Sequence, residues 1–212
     1  MSQDCCHGKL HELERVALQR DIRRVLVVVL LLNALMFVVE FGAGLIAQSA
    51  SLMADSIDML GDAAVYGLSL FALGRSLRWR AGAALIKGGF ILFLGLGVIA
   101  EIGVKIAWGV PPESGLMLVA GTMALAANLA CLALLWPYRA HDVNLSSTFA
   151  CSRNDVVANV GVLVAAGAVS MTESAWPDIL VASAIAILFI RSSLKVIGEA
   201  WPQYRAARAT RI

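Results

Sequence analysis

Three carboxylates recur at helical spacing in one otherwise apolar stretch, Ala54-Asp55-Ser56-Ile57-Asp58-Met59-Leu60-Gly61-Asp62. At about 100° per residue, Asp55, Asp58 and Asp62 fall within roughly 60° of one another on a single helix face. Asp58 and Asp62 are four apart, so their carboxylates stand on successive turns about 6 Å apart. Like charges on one stripe repel, and apolar surroundings strengthen the repulsion. A cation between them, or partial protonation, relieves it. A second segment offers the complement: Asn144, Thr148, Cys151, Asp155 and Asn159 recur at spacings of three and four. Cys151 and Asp155 have the i, i+4 spacing that can present two ligands to one ion. Asp58 and Asp62 facing Cys151 and Asp155 make a four-ligand oxygen and sulfur set for a divalent ion of zinc type. The thiolate favours softer ions such as cadmium.

The elements that must position these groups are membrane helices. The chain has 212 residues, 59% hydrophobic and 15% charged, with a mean hydropathy of +0.79, whereas a soluble domain carries roughly 25% charged residues. Apolar runs of about twenty residues, enough to cross roughly 30 Å of hydrocarbon, predict spans near 25–47, 52–74, 88–108, 114–136, 145–170 and 176–197. Six spans leave no room for a sizeable soluble catalytic domain. The first run is too long for the apolar core of a signal peptide and contains Glu40, so it reads as an uncleaved helix. A net charge of +2 gives no reason to expect nucleic acid.

Basic residues set the direction. Arg15, Arg20, Arg23 and Arg24 precede span 1, Arg75, Arg78, Arg80 and Lys87 lie between spans 2 and 3, and Arg205, Arg208 and Arg211 follow span 6. The alternate connections, 48–51, 109–114 and 171–175, hold no Lys or Arg. By the positive-inside rule both termini are cytoplasmic. The fold class is therefore an all-α membrane protein, a six-transmembrane-helix bundle. Residues 1–22 form a cytoplasmic N-terminal tail, 23–198 the transport domain and 199–212 a short cytoplasmic C-terminal tail. Asp62 and Asp155 each lie about a dozen residues from a cytoplasmic helix end, roughly 18–20 Å deep, so the two stripes stand level.

An ionisable group near the bilayer centre costs at least about 2.5–3.5 kcal/mol, so each one needs a reason. The bland reading is that the acids pair with bases in the bundle. Arg153 is the basic residue well inside a span near them, and it lies about 160° from Asp155 around the same helix. Asn33 and Glu40 are seven apart on helix 1 and either hydrogen-bond between helices or line a cation path. Glu101 and Lys105, four apart near the outer end, read as a mutual ion pair. Asn128 and Cys131 read as packing or hydrogen-bonding groups. Asp178 follows Pro177 at the start of helix 6 and reads as a first-turn or N-cap acid, with an outer metal exit as the alternative. Cys5, Cys6 and His7 could chelate a soft metal weakly or be adventitious in a tail. The four cysteines, two adjacent and two in apolar runs, form no disulfide framework.

These residues resemble the cation diffusion facilitators, which exchange divalent metals for protons across membranes. The string from Ser51 to Asp62 is similar to that family's hallmark Asp-x-x-[His/Asp]-x-x-x-Asp, and Cys151-Ser152-Arg153-Asn154-Asp155 to its [His/Asp]-x-x-x-Asp. The likeness covers about residues 20–202. It implies that Asp58, Asp62 and Asp155 occupy the transport-site positions and that Asp55 is an adjacent hallmark acid. Asn159 continues the same stripe of helix 5. Cys151 stands where the family usually has His or Asp, which bears on metal selectivity. The form expected lacks the C-terminal cytoplasmic metal-binding domain, so the family's homodimer is implied only weakly.

The reading that follows is a divalent metal efflux transporter, zinc first and cadmium or another transition metal next. It exchanges metal for protons and sits as a multi-pass protein in the bilayer of a bacterial cytoplasmic membrane. It needs no cofactor beyond the transported ion and is not an enzyme, since no nucleophile or general-base constellation appears beyond the ligands. Metal displaces protons from Asp and Cys because ligands must be deprotonated to coordinate. The alternative is a non-transporting membrane metal sensor or assembly partner that keeps the site.

Overall fold

A computed structural model describes residues 3–72, 77–139 and 143–209. Six long helices account for the described chain: α1 Gln3–Ala47, α2 Ala50–Ala72, α3 Leu77–Trp108, α4 Ser114–Leu135, α5 Val143–Thr172 and α6 Trp176–Ala209. A short 3-10 turn, Trp136–Tyr138, follows α4. All six predicted spans are present as helices. Five of these helices are long and apolar enough to cross a membrane. The remaining one is α2, long enough at 23 residues but carrying Asp55, Asp58 and Asp62. This is an all-α integral membrane bundle.

The arrangement explains how α2 tolerates those acids. Helices α1, α4, α5, α6 and α3 pack side by side in that order, and α2 contacts every one of them. These contacts leave little of its described outer half facing lipid. Its residues from Ala50 through Asp62 are buried or half-buried without exception. The outer helices do the opposite. Leu31, Leu35 and Val38 of α1, Phe93 of α3, Val157 and Val164 of α5 and Leu188 of α6 are exposed, as befits side chains bathed in hydrocarbon. Trp136 and Trp176, at helix ends, are more than half exposed and fit interfacial anchors.

Two glycines set the closest helix approaches. A methyl group on Gly44 of α1 would come within 2.8 Å of Met53 Cγ and 3.1 Å of the Met53 amide nitrogen on α2. One on Gly88 of α3 would meet Ile197 Cγ1 of α6 at 2.7 Å. The Gly88 carbonyl also accepts a 2.6 Å hydrogen bond from Ser193 Oγ of α6. Small residues at such crossings let backbones touch where lipid gives no hydrophobic push.

The end of the bundle without basic residues in its connections is called the outer end here. Its turns are short and each begins with a left-handed residue: Gln48 (φ 53°), Gly109 (φ 65°) and Glu173 (φ 49°). After α1 the Ser49 amide donates to Gly44 O at 2.9 Å and the Gln48 amide to Leu45 O at 3.4 Å, the paired bonds of a Schellman stop. The Glu113 amide donates to Ala47 O at 2.9 Å, tying the α3–α4 connection to the end of α1. The Glu113 carboxylate caps α4, accepting from the amides of Gly115 and Leu116.

Candidate metal site

On α2 the side chains Ser51, Asp55, Asp58, Asp62 and Tyr66 follow one another at spacings of four, three, four and four. They form one inward stripe: Asp58 is half-buried and the other four are buried. Helix α5 packs on α2 and buries Ser152, Asp155 and Asn159. Arg153 of α5 is exposed, on the face away from Asp155, as the helical angles predict. Counting from the inner helix ends, Asp62 precedes Ala72 by ten residues and Asp155 follows Val143 by twelve. These counts correspond to depths of about 15 and 18 Å. Asp62 (8% exposed) and Asp155 (7%) therefore sit at similar depth in helices that touch.

Polar groups lie around these acids. Tyr66 Oη donates to Asp62 Oδ2 at 3.1 Å. Asn159 Nδ2 donates to the Asp155 carbonyl at 2.8 Å, which leaves Asn159 Oδ1 buried with no hydrogen-bond donor. Asn33 Nδ2 of α1 donates to Val29 O at 2.9 Å and to Cys131 Sγ of α4 at 3.8 Å. The Cys131 thiol is buried. Sequence reasoning did not single out Tyr66, and it read Cys131 as a packing or hydrogen-bonding group without identifying its partner. The i, i+4 spacing of Tyr66 from Asp62 was the available signal for the first. No local signal existed for the second.

Among the described residues, no three His, Cys, Asp or Glu side chains stand close enough together to hold a metal ion. The Cys151 side chain lies outside the described residues, as do those of Cys5, Cys6 and His7, although all four positions belong to helices, Cys151 in α5 and the others in the first turns of α1. Asp62 of α2 and Asp155 of α5 thus stand at similar depth on two contacting helices, with Asp58 one turn from Asp62, and the described residues close no coordination shell around them.

Glu40 and Asp55 meet at a different place. The Glu40 carboxyl, fully buried on α1, lies against that of Asp55 on α2, which is 1% exposed. Both Glu40 oxygens and Asp55 Oδ2 are sealed from solvent and receive no hydrogen bond from the protein.

At the outer end the sequence reading of Lys105 requires correction. Lys105 pairs with Asp178 of α6, Nζ to Oδ2 at 2.6 Å, and not with Glu101. Lys105 faces the bundle at 5% exposure, whereas Glu101 is half-buried, and the buried acid across the interface outcompetes the one on the same helix. Asp178 does sit in the first turn of α6, yet the helix it caps is α2. Its Oδ1 accepts from Ser49 Oγ (2.7 Å), Ser51 Oγ (2.6 Å) and the Ser51 amide (3.1 Å), and its Oδ2 from the Ala50 amide (2.9 Å). An anion over the N-terminal amides of α2 is favourably placed against the helix dipole.

Residues 26–202 match the family model of the cation efflux transmembrane domain. The chain belongs to the cation efflux family. No curated protein matches it. Its membership bears out the resemblance to the cation diffusion facilitators drawn from the α2 and α5 strings. This cation efflux protein is accordingly a multi-pass membrane transporter of divalent cations, with the bilayer and a metal ion as its working partners.

Proposed function

We propose that the protein exports a divalent metal of zinc type in exchange for protons, at a site formed by Asp58 and Asp62 of α2 with Cys151 and Asp155 of α5. The observation that carries this reading is the burial of Asp62 and Asp155 at matching depth on two contacting helices inside an apolar bundle. Intramembrane acids are costly enough that such a pairing calls for a cation. The half-buried Asp58 lies one turn from Asp62 and supplies the second α2 oxygen ligand. Thiol and carboxylate donors together favour zinc and cadmium over magnesium or calcium. Binding displaces protons from the ligands, and neighbouring carboxylates titrate as a group, so no single residue owns the exchanged proton. The membrane is taken to be the bacterial cytoplasmic membrane, with metal moving outward. Asn33, Asn159 and Asp55 line or border the path in this reading, and a homodimer is its simplest assembly.

The experiment is metal uptake into proteoliposomes under an imposed proton gradient, with zinc, cadmium, cobalt, iron and manganese offered separately. Saturable uptake should disappear in Asp58→Ala and change its metal preference in Cys151→Asp. Tight binding with no uptake of any metal would replace this reading with that of a non-transporting sensor.

A further inference from the structure

The Glu40–Asp55 pair stands outside the proposed ligand set, and its surroundings ask for a cation. Two carboxyls from different helices touch in a space closed to solvent, with three of their four oxygens lacking any hydrogen bond from the protein. Two ionised carboxylates cannot hydrogen-bond to each other, because neither carries a donor. Placed side by side without water, both ionised, they would repel in a medium that screens poorly. One proton between them resolves both problems, turning an orphaned contact into an O–H···O bond.

Asp55 is the acid that faces Glu40 from α2, and Glu40 the one that faces Asp55 from α1. On α3 and α6, Lys105 and Asp178 are engaged with each other at the outer end. On α4, Cys131 lies deeper, beside Asn33 and toward Asp62. On α5, Asp155 lies at the depth of Asp62. Glu40 is seven residues before the end of α1 and Asp55 five after the start of α2. Both therefore sit about 8–10 Å below the outer end, between the outer turns and Asp58.

From this geometry we propose that Glu40 and Asp55 form a proton-binding site that holds one shared proton and surrenders it when metal occupies the neighbouring carboxylates. The proposal rests on the proton-exchange reading given above and adds a carrier to it. Asp55 and Asp58 are three apart, with Cβ atoms about 5–6 Å from each other. A dication at Asp58 therefore repels the shared proton and favours two carboxylates. The step is balanced: the O–H bond of the pair breaks, H⁺ leaves to water on the side from which the metal came, and two carboxylates remain. No electrons move. When the metal departs, a proton from the opposite side restores the bond. The charge change across one cycle is thus spread over two adjacent sites.

The test counts protons released per metal bound to purified protein in detergent, by calorimetry in buffers of different ionisation enthalpy. Zinc is the probe, with cadmium and manganese in parallel. Glu40→Gln and Asp55→Asn should each release about one proton fewer per metal than wild type. The double variant should also release one fewer, since a shared proton can be lost only once. Glu40→Asp, which keeps the carboxyl, should restore the wild-type count. An unchanged count in either single variant that folds overturns the proposal, and so does a loss of two protons in the double. A drop in the number of metal ions bound, in place of protons, would make the pair a second metal site and overturn it equally. The two single substitutions sit on different helices, so a folding failure in one leaves the other to decide. Failure of the underlying reading looks different: wild type would bind metal and release no protons, or bind no metal at all.

Discussion

Asp178 and Asp55 are the same residue type, both at or within 1% of complete burial, and their surroundings are opposite. Asp178 collects five donors, two serine hydroxyls, two backbone amides and an ammonium, so that each of its oxygens accepts at least two hydrogen bonds. Asp55 meets another carboxyl, and one of its oxygens receives nothing from the protein. A saturated carboxylate has no capacity left for an incoming ion and serves as a fastener, here joining α2, α3 and α6. A starved carboxyl pair contributes little to holding helices together and retains capacity for a cation. Burial of an acid in a membrane protein therefore does not assign its role; the count of donors around it does.

The contrast is most exposed to attack at the fastener. Asp178→Ala strips the counter-charge from a buried ammonium and leaves α2 without its N-terminal anion. Breaking a buried pair from one side costs about 3–5 kcal/mol, and this variant should fall at the upper end. Denaturant unfolding in mixed micelles, followed by helical circular dichroism, measures it. Lys105→Met leaves Asp178 with its four other donors and should cost less, about 3 kcal/mol. The double variant Lys105→Met, Asp178→Leu should recover only part of the summed loss, because the ion pair is gone from both sides while Ser49, Ser51 and the Ala50 amide still lack their acceptor. Full recovery would mean that the ion pair alone fastens the outer end.

The starved pair should answer with the opposite sign. Glu40→Gln replaces a carboxyl by an amide that can donate to Asp55, so stability should stay within about 1 kcal/mol of wild type, on the stabilising side. A loss of several kcal/mol in the same unfolding assay would show that the pair is a fastener after all and would erase the distinction from Asp178.

How far the sequence reached follows the same division between local and distant signals. The six spans were legible because length and apolarity are properties of contiguous residues. The one-sided distribution of Lys and Arg is likewise read along the chain and predicts their direction. The α2 and α5 strings were legible as i, i+3 and i, i+4 patterns, and they led to the correct family. Lys105 was misassigned to Glu101 because that acid is four residues away, whereas its actual partner Asp178 is 73 residues along the chain. The Glu40–Asp55 contact was also missed, although counting residues back from the α1–α2 turn places both at nearly the same depth. What no count could supply was the packing of α2 against all five other helices, which buries or half-buries the stripe that carries its three acids.

The smallest effects separate the hydroxyls of the fastener. Ser49 Oγ donates to Asp178 and also accepts from the Leu52 amide at 3.2 Å, so it caps α2 while serving the acid. Ser51 Oγ donates to the same Asp178 oxygen at 2.6 Å, and the neighbouring Ser51 amide remains to hold that oxygen if the hydroxyl is removed. Ser49→Ala should therefore cost about 1.5–2 kcal/mol, a lost cap together with a bond to a charged acceptor. Ser51→Ala should cost about 1 kcal/mol, near the low end for a single bond, because its loss strands no donor. Unfolding of the two variants side by side gives the order. A larger loss for Ser51→Ala would mean that the Asp178 carboxylate depends on its shortest hydroxyl bond more than α2 depends on its cap. The outer end would then be held by the acid's own coordination, with the helix start following from it.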